Sequence, residues 1–161
     1  MIIKVAIFPG LFDPINNGQL DIIKNASKIF GKLIVLLTKD IFNNALFAIE
    51  KRLQFVQSAT RNFSNVEVDY WSGDLEKYVE MSHAVAIVRG LKSFTNFNKE
   101  IEFNIVNQYL NNNLIQTIFI MPNPKNFYIN SSLVKKLCSL KKNLSSVVPK
   151  VVEEEIKKEV L

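Results

Sequence analysis

One cysteine, Cys138, and one histidine, His83, are the only thiol and imidazole among 161 residues. A lone thiol excludes an intramolecular disulfide and suits a reducing compartment. The pair is too few for a zinc site, and nothing supports a Cys–His nucleophile. Glycine and proline are scarce, five of each, and no Gly/Ser-rich linker, internal repeat or low-complexity tract divides the chain. One domain over residues 1–161 is therefore expected. No apolar run approaches the ~18 residues of a membrane span; the longest lies around Leu33–Leu37. Met1–Phe8 is too short for a secretory h-region and Pro9-Gly10 interrupts it, so a cytoplasmic location is expected. Blocks of five like charges are missing as well, although 20 Lys+Arg against 15 Asp+Glu leave a net charge of +5. Lys135, Lys136, Lys141 and Lys142 gather without an interleaved aromatic for base stacking. The charge fits a solvated surface and a small anionic ligand better than nucleic acid.

What the chain does have is alternation. Short β-branched runs predict strands at Ile2–Phe8, Lys32–Thr38, Val66–Trp71, Ala84–Val88 and Gln116–Met121. Each precedes a segment with helical spacing of apolar residues: Leu20–Phe30, Ile49–Ala59, Leu75–Met81, Ile101–Leu110 and one opening at Leu133–Leu137. A last helix is expected after Pro149, with its triple glutamate as a solvated face. The pattern predicts an α/β fold, a doubly wound (Rossmann-like) five-stranded parallel sheet with helices on both faces. Ligands of such sheets sit beyond the carboxyl ends of the strands, where strand order reverses. The loops after strands one, two, four and five therefore carry the candidate site.

The first of these loops reads Phe8-Pro9-Gly10-Leu11-Phe12-Asp13-Pro14-Ile15-Asn16-Asn17-Gly18-Gln19 and runs into a helix. A helix N-terminus approached through glycine favours a phosphate, but the spacing is neither a P-loop nor G-x-G-x-x-G. The segment resembles the P-G-T-F-D-P-x-T-x-G-H signature of bacterial phosphopantetheine adenylyltransferases, nucleotidyltransferases with an HxGH motif. Four further segments follow in order at matching spacing. Phe47-x-Ile49-Glu50-Lys51-Arg52 resembles F-x-x-x-E-R, and Val88-Arg89-Gly90-Leu91-Lys92 resembles I-R-G-[LI]-R. Phe97-x-x-Glu100 is similar to D-F-x-x-E, and Ile129-Asn130-Ser131-Ser132-Leu133-Val134-Lys135 to I-S-S-[ST]-x-V-K.

The resemblance implies transfer of AMP from ATP to 4′-phosphopantetheine, giving dephospho-coenzyme A and pyrophosphate by in-line attack without a covalent intermediate. It implies Mg²⁺ carried with the nucleotide phosphates rather than in a protein cage. A hexamer, and coenzyme A as a feedback ligand, belong to the same expectation. Carried over by position, the acceptor side falls on Leu11, Asn43, Leu75 and Arg89. The ATP side falls on Leu11, Phe12, Gln19, Gly90, Leu91, Lys92 and Glu100, then on Asn126, Phe127, Tyr128, Ile129, Asn130, Ser131 and Ser132.

Several matches are imperfect. The motif histidine that stabilises the transition state in the family is Gln19, the substrate-binding threonine is Leu11, the strand-two-loop lysine is Asn43, and the first serine of the last motif is Asn130. Losing one transition-state donor typically costs ~10²–10³ in rate. Two rival functions follow: a catalytically weakened relative that binds nucleotide or coenzyme A, and a nucleotidyltransferase with a changed acceptor. Plainer roles also stand beside the sharp ones. Gln19 serves either the ligand or the first helical turn, and Asp13 either the ligand or the turn it shares with Pro14. Asn16 and Asn17 read as turn and N-cap residues, with contact to a phosphate as the sharper alternative. Phe127 and Tyr128 are placed to stack on adenine or to pack. His83, at the wrong end of its strand, reads as structural, and Cys138 as packed on a helix.

Overall fold

The computed structural model describes residues 3–40, 42, 44–91, 98, 101, 102, 105 and 115–160. Five strands, β1 (Val5–Gly10), β2 (Lys32–Thr38), β3 (Val66–Trp71), β4 (Ala86–Gly90) and β5 (Gln116–Ile120), form one parallel sheet. Their spatial order is β3-β2-β1-β4-β5, so strand order reverses between β1 and β4. Around the sheet lie α1 (Asn17–Ile29), α2 (Ile49–Thr60), α3 (Leu75–Ser82), α4 (Ser131–Ser139) and α5 (Lys150–Val160), with a 3₁₀ turn at Pro124–Asn126.

The central strands are buried on both faces, which is why they read as unbroken apolar runs. Alternate residues serve opposite faces. Ala6, Phe8, Leu33, Val35 and Leu37 pack in one cluster with Ile22 and Ile23 of α1, Phe55 of α2, Val134 of α4 and Val152 and Ile156 of α5. Ile7, Ile34 and Leu36 meet Tyr78 and Val79 of α3 on the other face. The edge strands β3 and β5 are only half-buried.

Boundaries move by two or three residues at two strands. β1 starts at Val5 rather than Ile2, and β4 runs from Ala86 to Gly90 rather than Ala84 to Val88. β4 is delayed because α3 ends on His83 in the left-handed conformation (φ 51°), after which Val85 N–H donates to Val5 O at 2.8 Å. Arg89 and Gly90 therefore close the strand instead of opening the loop. Most of the fourth predicted helix, at 101–110, lies outside the described residues.

The last helix departs from its predicted role. Its glutamates are not a solvated face: Glu153 is only 6% exposed and pairs with Lys157 at 2.7 Å, and Glu155 accepts from Ser58 Oγ at 3.0 Å. α5 lies on α2 with Val152 and Ile156 in the core, so residues flanking that stripe are partly covered. Glu154, paired at 3.9 Å with Lys150, is the one of the three that faces solvent.

Candidate active site

α1 begins with a reciprocal capping box. Asn16, the buried N-cap, accepts from Gln19 N–H through Oδ1 at 3.0 Å, and Gln19 Oε1 accepts from Asn16 N–H at 3.1 Å. Of the two roles read for Gln19 in sequence, the first-turn role is the one this capping box shows. Because its oxygen is taken by a backbone donor, the end of the amide left over is the Nε2 donor, which bonds no described residue. Asn16 Nδ2 is likewise buried without a hydrogen-bond partner. Two amide donors therefore stand unengaged at the positively polarised end of a 13-residue helix. The cap role of Asn16 is legible in sequence; its orphan Nδ2 is visible in three dimensions alone.

The loop feeding α1 is held from beneath. Phe12 adopts φ 47° with its ring buried and edge-on to Phe8 at 5.4 Å, so any ligand contact it makes comes from its main chain. The Asp13–Pro14 peptide is cis. Asp13, 1% exposed, accepts from Leu46 N–H at 2.6 Å, Phe47 N–H at 2.9 Å and Lys135 Nζ at 2.8 Å. Of its two sequence roles, the structure supports loop fixing. Buried Arg52 of α2 donates from Nη1 to Leu11 O at 2.8 Å. Leu11 itself is 37% exposed on the loop.

Across from this loop stands the turn after β5. Asn126 is buried and donates to Asp21 Oδ2 at 2.8 Å, while Asn123 N–H donates to the same oxygen at 3.0 Å. Gly18 lets α1 approach this turn: a Cβ there would stand 3.3 Å from Asn126 O and 3.5 Å from Ile129 O. Space, rather than an unusual φ, dictates glycine at this position, since no described glycine has positive φ. Tyr128 is 59% exposed, Phe127 half-buried and Ile129 fully buried. A pocket of about 460 Å³ opens between Asn17 and Asp21 of α1 and Lys125, Asn126 and Tyr128. Asn130 caps α4 by accepting from Leu133 N–H at 2.8 Å, so an asparagine here keeps the capping function of a serine. Ser131 and Ser132 form the first turn of that helix.

Arg89 and Gly90 end β4, and Leu91 N–H donates to Ile120 O at 3.0 Å, which places them at the β1/β4 switch with the two loops. Leu75 opens α3 and packs against the second cluster, on the opposite face from α1. Asn43, Lys92 and Glu100 lie outside the described residues. His83 terminates α3 at the amino end of β4, away from these loops, as its sequence position implied. Asp21, Arg52 and Lys135 were not singled out as site residues. Each acts through backbone of a loop distant in sequence, a relation that no local motif encodes.

Burial, with the Asp13 carboxylate nearby, pushes the Cys138 thiol up from its ordinary pKa, which disfavours the thiolate a nucleophile needs. Among the described residues no group of three His, Cys, Asp or Glu side chains is placed to hold a metal. Asp13 and Asp21 are already occupied by protein donors.

A parallel sheet whose order reverses beside a capped helix N-terminus defines a nucleotide-binding class. A family model described as cytidylyltransferase-like matches residues 7–137. A phosphopantetheine adenylyltransferase from Caldanaerobacter subterraneus subsp. tengcongensis is 40% identical over 95% of both chains. Its namesake from Syntrophomonas wolfei is 37% identical over 98% of both. The chain belongs to the phosphopantetheine adenylyltransferases, within the cytidylyltransferase-like family. A solved Vibrio parahaemolyticus structure, described as a candidate nicotinate-nucleotide adenylyltransferase, shares the fold. It has a TM-score of 0.70 at 20% identity, covering 98% of this chain and 94% of that one.

Proposed function

We propose that this protein transfers the adenylyl group of ATP to 4′-phosphopantetheine, forming dephospho-coenzyme A and releasing pyrophosphate. The observation that carries this reading is the start of α1, where Asn16 Nδ2 and Gln19 Nε2 have no hydrogen-bond partner among the described residues. A phosphate oxygen satisfies both amides and complements the helix dipole. An acceptor-phosphate oxygen attacks the α-phosphorus. That P–O bond forms as the bond from the α-phosphorus to the α,β-bridging oxygen breaks, and the electron pair leaves with pyrophosphate. The protein's part is positioning and charge stabilisation.

Gln19 is the catalytic residue in this reading. Like an imidazole held by the same backbone N–H, it accepts with one atom and donates with the next, but it carries no charge. Leu11, Phe12, Gly90, Leu91, Lys92, Glu100 and residues 126–132 form the ATP side, with Ser131 and Ser132 offering hydroxyls at the α4 N-terminus. Leu11, Asn43, Leu75 and Arg89 form the acceptor side, where a guanidinium suits a phosphate bidentately. Mg²⁺ enters as the ATP complex. The same reading places the chain, one domain over residues 1–161, in the cytoplasm as a homohexamer with coenzyme A as a feedback ligand. Among the described residues no helix is long and apolar enough to cross a membrane.

Mass-spectrometric detection of dephospho-coenzyme A from ATP, Mg²⁺ and 4′-phosphopantetheine tests the assignment. Wild type forms product, and Gln19→His, which restores a chargeable donor, raises turnover on the order of 10²-fold. Silence from both variants with ATP still bound refutes the reaction.

A further inference from the structure

Three segments around the nucleotide loops converge on one ammonium group. Lys135, in the second turn of α4, stands 2.8 Å from Asp13 Oδ2 and donates to Asn44 O at 2.9 Å. Asp13 belongs to the loop that enters α1, three residues before the Asn16 cap, and it also accepts from Leu46 and Phe47 N–H. The side chain of Lys135 therefore joins α4 to the entry loops of both α1 and α2. α1 and α4 each present a capped N-terminus to the same end of the sheet, and the 126–129 turn lies between them in sequence and against α1 at Gly18. Two helix ends that grip one polyphosphate must keep a fixed separation, because a displacement of about 1 Å can cost ~10²-fold in rate.

We propose that Lys135 is a positioning residue for ATP: its bridge to Asp13 and Asn44 O sets the α4 N-terminus relative to the α1 N-terminus without touching substrate. The inference rests on the nucleotide reading above. It differs from a merely structural role, because a loosened fold weakens both substrates together, whereas a lost spacing weakens the ligand held by both helix ends.

Lys135→Gln and Lys135→Arg decide between them. Glutamine keeps a neutral donor for the buried carboxylate but cannot span both partners; arginine keeps the cation and the reach. Calorimetric titration with Mg²⁺-ATP and with 4′-phosphopantetheine is run beside thermal unfolding. Lys135→Gln should raise the Kd for ATP about tenfold and that for 4′-phosphopantetheine, whose side shares the Leu11 and Asn43 loops, by no more than about threefold. Its unfolding midpoint should fall by no more than about 5 °C. Lys135→Arg should bring the ATP Kd back to within about threefold of wild type. An unchanged ATP Kd in Lys135→Gln, equal weakening of both ligands, or a defect that tracks the midpoint and survives in Lys135→Arg overturns the proposal. A wild type that binds ATP without making dephospho-coenzyme A refutes the reaction but leaves this test standing, and one that binds no ATP overturns both.

Discussion

Gln19 is oriented by the hydrogen bond that its side chain accepts from Asn16 N–H. A glutamine amide can turn end for end, and only the reciprocal bond with Asn16 N–H decides which end remains for a ligand. In the proposed reaction a glutamine here keeps a donor and lacks the charge of an imidazolium, so the expected penalty belongs to the electrostatic part of catalysis rather than to substrate placement. Cys138 is the opposite case, a chemically interesting side chain kept quiet. Its thiol is half-buried and pushed up by burial and by the neighbouring Asp13 carboxylate. Alkylation by iodoacetamide at pH 8 should run at least about tenfold slower than for free cysteine. A rate equal to the free thiol's would show that Cys138 is open and its thiolate accessible.

At the scale of elements, α5 is the clearest case of a helix whose face cannot be assigned from charge alone. Glu153 and Lys157 have the i,i+4 spacing of a surface pair, yet the carboxylate is covered because α5 docks on α2. The apolar stripe Val152–Ile156 sets the orientation, and the charged residues follow it. Ile156→Ala should cost about 2–5 kcal/mol, read as a lower urea midpoint with little change in slope. A loss under about 0.5 kcal/mol would mean that α5 contributes surface rather than core. α3 follows its spacing in part: Tyr78 and Val79 turn inward with Leu75 packed beside them, whereas Met81, counted in the same apolar spacing, is exposed.

For the whole molecule, the second face of the sheet carries a pH-sensitive contact. Tyr78 O–H donates to Asp69 Oδ2 at 2.6 Å, joining α3 to β3. Burial first, then this hydrogen bond and the Asp69 charge, pushes the phenol above its ordinary value. The folded protein holds the phenolic proton more tightly than the unfolded chain, which releases it near pH ~10. The contribution is complete below that pH and is lost as pH rises through the alkaline range. Wild type should therefore lose stability more steeply than Tyr78→Phe between about pH 9 and 11, while the variant is weaker near neutrality by about 1–2 kcal/mol. Parallel pH profiles in chemical unfolding would sink this account.

The sequence by itself determined the class of fold and carried the motifs of the family. Short β-branched apolar runs such as Lys32–Thr38, alternating with helically spaced segments, fit strands buried on both faces, and crossover helices between parallel strands leave few topologies. Five ordered motifs at matching spacing then marked the loops, because backbone geometry at a strand end is a local property. Asn16 and Asn130 were also within reach, since an N-cap is written in adjacent residues. Only the tertiary structure decided that Asp13 serves Leu46, Phe47 and Lys135, that Arg52 holds Leu11 O, and that Asp21 shapes the 123–126 turn. It likewise turned Glu153 and Glu155 of α5 from a solvated face into a packed flank and left Glu154 in solvent. Each of these depends on partners 33 or more positions apart in the chain, and hydrogen-bond direction and burial at such distances are set by how helices settle on the sheet, which residue spacing within one segment does not encode.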